Sequence, residues 1–91
     1  MEQIRAVVQG VVQGVGFRYH TRQIAQQLGV KGFVRNQPDG TVEIVAVGTS
    51  DQLKALLDWA NQGPVSARVT QVEAEPYIGL SQFDEFTIER Y

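Results

Sequence analysis

Ile4, Ala6 and Val8 interleave with Arg5, Val7 and Gln9, a period of two that predicts a strand over residues 3–11 with one strongly apolar face. Gly14 and Gly16 then break the pattern and mark a tight loop running into Arg18. From there the apolar spacing becomes helical, through Phe17, Thr21, Ile24, Ala25 and Leu28, and a helix over 19–28 is predicted with Gly29 ending it. Residues 32–36 form a short apolar run, Gln37-Pro38-Asp39-Gly40 supplies turn chemistry, and residues 41–47 resume as a strand. On that strand Val42, Ile44 and Ala46 share one face, while Val45 and Val47 make the other partly apolar, and the two strands read as a hairpin. Thr49 and Gln52 have the spacing of a capping box, so a second helix should start at Thr49, bury Leu53, Leu56, Leu57 and Ala60, and stop at Gly63-Pro64. Residues 67–77 form a strand whose apolar parity shifts between Val69 and Val72, which predicts a bulge near Thr70 or Gln71. Residues 85–91 alternate, with Phe86 and Ile88 alike, as a last strand.

The order strand, helix, strand, strand, helix, strand, strand predicts an α+β fold: a ferredoxin-like βαββαβ sandwich, both helices on one face of an antiparallel sheet, with an extra short C-terminal strand. At 91 residues the chain fits one domain, taken as residues 1–91. Folding at this size buries about 60–65% of the surface, so nearly every apolar side chain is needed. The absence of Cys excludes disulfides and thiolate metal sites and fits a reducing compartment, and the single His20 makes a structural zinc site improbable. A formal net charge of −2 argues against a domain that neutralises a nucleic-acid backbone. No apolar stretch approaches the roughly 20 residues of a membrane span, and Met1 to Arg5 do not begin a secretory signal. A cytoplasmic, monomeric domain that begins at Met1 and looks complete by itself is the expectation, with no nucleic acid or membrane as partner.

Chemistry concentrates between Gly10 and Arg18. A strand enters a glycine-containing loop and the loop enters a helix, which leaves backbone N–H groups without partners near the positive end of the helix dipole. Gly14 and Gly16 allow successive N–H groups to turn inward as an anion-binding concavity. Arg18 stands where the dipole disfavours a cation, a placement that an anion between them would explain, and guanidinium offers paired donors to phosphate oxygens. The loop is neither a P-loop nor a dinucleotide fingerprint, and its local pattern equally suits a plain connector with a solvated Arg18. Asn36, just before the turn, can orient a water because its amide both donates and accepts; the same position also suits local backbone bonding.

Two longer stretches carry more information. Val8-Gln9-Gly10-Val11-Val12-Gln13-Gly14-Val15-Gly16-Phe17-Arg18 resembles the first signature of the acylphosphatase family. Gly32-Phe33-Val34-Arg35-Asn36, with Gly40, Val42 and Gly48 following, resembles the second, and the similarity runs over essentially the whole chain. The resemblance implies a hydrolase of acyl phosphates that uses no metal and no cofactor. It implies further that the backbone N–H groups of Gln13, Gly14, Val15, Gly16, Phe17 and Arg18, with the Arg18 side chain, bind the phosphoryl group, and that Asn36 places the attacking water. Such a site is chemically sufficient. The carboxylate leaving group, whose conjugate acid has a pKa of roughly 4–5, departs without a proton, and the water's proton can pass to a phosphate oxygen.

Other residues are set aside. His20 falls at the edge of the helical stripe and the chemistry needs no imidazole; Trp59 and Tyr91 read as packing residues; Glu73, Glu75, Glu85 and Glu89 have the spacing of a solvated sheet face. Lys31-Gly32-Phe33-Val34 faintly echoes an RNA-recognition motif, but base-stacking sheets present two or three aromatics and this strand offers one. A regulatory ligand-binding domain of the same topology would bind without turnover. Acylphosphatase-like modules also occur at the front of large carbamoyl-transfer proteins.

Overall fold

The computed structural model describes residues 1–79 and 82–90. Seven elements follow in the expected order: β1 (Glu2–Val11), α1 (Phe17–Leu28), β2 (Lys31–Asn36), β3 (Val42–Gly48), α2 (Ser50–Gln62), β4 (Arg68–Pro76) and β5 (Phe86–Glu89). The strands form one sheet in the order β4-β1-β3-β2-β5. All neighbours are antiparallel except β2 and β5, which run parallel with Val34 opposite Ile88. This is the ferredoxin-like sandwich with its extra C-terminal strand. Tyr91, assigned to packing, lies outside the described residues, and Glu85 precedes β5 in a bend, where its carbonyl accepts the Gly32 N–H.

Period-two alternation explains which face is covered. Ala6 and Val8 of β1, Val34 of β2, Ile44 and Ala46 of β3 and Phe86 of β5 are all buried and point toward the helices. α1 packs over β2 and β5, and α2 packs over β4 and β1. The helices reply with Phe17, Thr21 and Ala25 from α1 and Leu53, Leu56 and Ala60 from α2. Thr21 lies in the core without an unpaired hydroxyl because it donates to the Phe17 carbonyl at 2.8 Å.

The two helix starts differ in how they are capped. At α2 the Thr49 side chain accepts from the Gln52 N–H and the Gln52 side chain accepts from the Thr49 N–H, completing the predicted capping box, with Asp51 in the first turn. At α1 the cap is Gly16, which has no side chain to offer, and the first turn holds no acid.

The bulge falls at Thr70: Gln9 pairs with Gln71 and Gly10 with Val69, so Thr70 has no partner across the ladder. Gly10 is required there. Its φ is 126°, and a Cβ on it would collide with the Arg68 carbonyl oxygen of the bulged strand.

The other sheet face departs from expectation at its centre. Val45 and Glu43 of β3 are almost fully buried, although that face carries no helix. Glu43 receives Arg5 from β1 on one oxygen and Arg35 from β2 on the other, the latter at 2.5 Å, and Arg5 also reaches Glu75 at 3.6 Å. The side chains of the two flanking strands fold over the middle strand. Phe33 on the same face packs against Phe83 with centroids 5.9 Å apart, beneath the Arg35 guanidinium at 5.6 Å.

Candidate active site

β1 and β2 both run antiparallel to β3, so their C-terminal ends meet at one end of the sheet. β5 runs parallel to β2 and ends there too. That geometry brings the loop after β1, the last residue of β2 and the end of β5 together, and a cleft of about 150 Å³ lies between them. Val12, Gly14, Gly16, Phe17, Arg18, Tyr19, Asn36 and Ile88 line it. Clefts for drug-sized ligands occupy about 300–1,000 Å³, so this one suits a group the size of a phosphoryl and a water.

The loop is short and fixed at both ends. Val12 and Phe17 are buried, and Phe17 packs on Trp59 of α2 with ring centroids 5.3 Å apart. Between these anchors Gly14 and Gly16 hold φ of 73° and 78°, left-handed values that a side chain would strain. The Gly16 carbonyl is turned into α1, where it accepts the His20 N–H at 3.1 Å and the Nδ1–H of the His20 ring at 2.8 Å. His20 thus braces the loop from the solvent side and does not line the cleft.

Arg18 and Asn36, the two side chains assigned to the chemistry, face the same cleft. Arg18 is half-buried and belongs to none of the ion pairs among the described residues, which use Arg5, Arg35 and Lys54 as their cations. It stands beside the uncapped start of α1, where the N–H groups of Phe17, Arg18 and Tyr19 have no intrahelical acceptor. A cation at a helix N-terminus is destabilised by roughly 0.3–1 kcal/mol when exposed, and an anion placed between the two reverses the sign. Asn36 ends β2 opposite Val42, and its Oδ1 is buried without a hydrogen-bond partner.

Gln13 and Val15 were also assigned to the phosphate loop, and their side chains do not line the cleft. Val15 packs on the core. The Gln13 amide spans the gap to the β2–β3 turn, donating to the Gln37 carbonyl at 2.7 Å and the Thr41 carbonyl at 2.9 Å. In that turn Asp39 accepts from the Thr41 hydroxyl and the Thr41 N–H, and these bonds hold its carboxyl below the usual range.

Sequence reasoning did not assign Tyr19 or Ile88 to the site. Tyr19 follows Arg18 directly and could have been included on that ground. Ile88 carries no local signal, because its place depends on β5 pairing with a strand 54 residues earlier, Val34 opposite Ile88. No group of three or more His, Cys, Asp or Glu among the described residues is arranged to hold a metal ion.

Comparison with known proteins gives matches along nearly the whole chain. The acylphosphatase family model matches residues 4–88. The acylphosphatase of Pasteurella multocida is 51% identical over 82 residues, covering 90% of this chain and 91% of its own length. That of Actinobacillus succinogenes is 48% identical over 90 residues, covering 99% and 100%. The crystal structure of acylphosphatase from Bacillus subtilis is similar with a TM-score of 0.92 at 35% identity, covering 98% of this chain and 99% of that one.

Proposed function

The chain belongs to the acylphosphatase family, and from that premise we propose that Arg18 and the backbone N–H groups of residues 13–18 hold the phosphoryl group while Asn36 holds the attacking water. The observation that carries this reading is that Asn36, whose buried Oδ1 has no hydrogen-bond partner, lines the same cleft as Arg18, which joins no ion pair among the described residues. A buried acceptor without a donor costs about 1–3 kcal/mol, a cost that a bound water removes.

The division of labour follows from charge. The Arg18 fork and the uncapped start of α1 both favour negative charge on the equatorial oxygens, and the helix start is already in place in the folded chain. Asn36 is neutral, so it can lie beside a phosphoryl oxygen without repelling it, and its oxygen accepts one hydrogen of the water while the other side faces phosphorus. As attack proceeds the proton passes to a phosphoryl oxygen and the carboxylate leaves as an anion. Neither step needs a side chain that titrates near neutrality, and no His, Asp, Glu or Cys is among the described residues that line the cleft. Phosphate monoesters, whose alkoxide leaving groups need a proton, are poor substrates for such a site. We further place the enzyme in the cytoplasm as a monomer acting on a small acyl phosphate, a reading supported by the absence of Cys and by the size of the cleft.

The test is hydrolysis of benzoyl phosphate, with EDTA present, by the parent and by Asn36→Ala. Turnover should fall by about 10²–10³-fold in the variant while inhibition by inorganic phosphate changes little. Normal turnover in Asn36→Ala would remove the water-holding role.

A further inference from the structure

We propose that the Gln13 side chain is a positioning residue, tying the phosphate loop to the β2–β3 turn and thereby setting the distance between phosphorus and the attacking water; the inference rests on the water-holding role of Asn36. Its amide N–H₂ spends both hydrogens on one turn, donating to the Gln37 carbonyl at 2.7 Å and the Thr41 carbonyl at 2.9 Å. The flipped amide would set its oxygen against two carbonyl oxygens, so only the donating orientation is compatible with these partners.

The turn does not need Gln13 to keep its own shape. Gly40 N–H already donates to the Gln37 carbonyl at 3.1 Å, and Gln37 N–H donates to the Thr41 carbonyl at 2.9 Å. Gln13 fills the second lone pair of each oxygen, so removing it leaves neither carbonyl unpaired. What its removal does break is the tether. Among the described residues, no other hydrogen bond joins the loop between β1 and α1 to this turn. The bonds reach 24 and 28 residues along the chain, and one of them lands on Gln37, the residue directly after Asn36. The cradle and the water holder therefore sit on separate elements whose spacing this one amide sets.

The backbone N–H of residue 13 is untouched by a side-chain substitution, which separates tethering from phosphate binding. Gln13→Met keeps length and loses both donors. Its kcat for benzoyl phosphate should fall about tenfold, since sub-ångström to ångström misplacement of reacting groups costs up to about 10²-fold. The inhibition constant of inorganic phosphate should stay within about twofold. In an Asn36→Ala background the same substitution should cost less than about twofold in kcat, because the group it positions is gone. The proposal is overturned if Gln13→Met keeps parental kcat, if it loses the same factor in both backgrounds, or if phosphate inhibition weakens as much as kcat. Full turnover in Asn36→Ala alone would instead remove the reading beneath it. Should Gln13→Met not fold, Gln13→Asn, one methylene too short to reach either carbonyl, carries the same expectations.

Discussion

Asn36 holds a buried oxygen without a hydrogen-bond partner, a cost to the fold that the proposed water-holding role accounts for. Replacing it by Ala deletes a buried oxygen that has no partner, so the variant should be as stable as the parent, or more stable, even as turnover collapses. Equilibrium urea unfolding of both proteins checks this, and a loss of several kcal/mol would mean that Asn36 is structural. Arg18 carries two properties at once, charge and a planar fork. Arg18→Lys keeps the first and loses the second, so it should retain part of phosphate binding with turnover lowered by at least tenfold, while Arg18→Gln should lose both. Parallel measurement of kcat and of phosphate inhibition separates the two variants.

Elements set where those residues stand. Gln52 shows how much one side chain can fix: its oxygen accepts the Thr49 N–H at 2.9 Å and its nitrogen donates to the Leu28 carbonyl at 2.8 Å, so it closes the start of α2 and ties it to the end of α1. Gln52→Ala should cost about 1–2 kcal/mol in chemical denaturation and leave kcat unchanged, because both bonds lie at the ends of the helices away from the cleft. The capping box, the helical stripes and the Thr70 bulge were all legible in sequence, since each depends on residues within a few positions of one another. Partnerships across the sheet were not. Glu43 reads as one polar residue in an apolar strand until β1 and β2 bring Arg5 and Arg35 to either side of it. The site divides along the same line: Arg18 and Asn36 were marked by family motifs, whereas the outward reach of Gln13 and the arrival of Ile88 depend on which strands become neighbours.

For the whole molecule, the sheet is held from both sides by different means. One face is closed by two helices and the other, at its centre, by charged side chains laid over a buried carboxylate. Removing one partner of a fully buried pair costs about 3–5 kcal/mol, and here the Arg5 and Arg35 side chains remain 31% and 39% exposed. Glu43→Gln should therefore lower stability by about 1–3 kcal/mol, read as a shift in the urea midpoint. The substitution lies on the face opposite the cleft, so kcat should not move. An equal loss of activity and stability would show that the network bears on the site.

The start of α1 leaves its backbone donors without a side-chain cap, since Gly16 cannot supply one and the first turn has no acid. Whatever anion fills that place binds the folded chain and finds no such site on the unfolded one. The reaction product then acts as a thermodynamic brace: at a hundredfold excess over its dissociation constant, inorganic phosphate should add about 2.7 kcal/mol to folding. A thermal melt would register that gain as a higher midpoint, in Asn36→Ala as in the parent, because occupancy of the cradle does not require catalysis. On the proposed reading, the uncapped helix start thus couples the endurance of the fold to the metabolite pool around it.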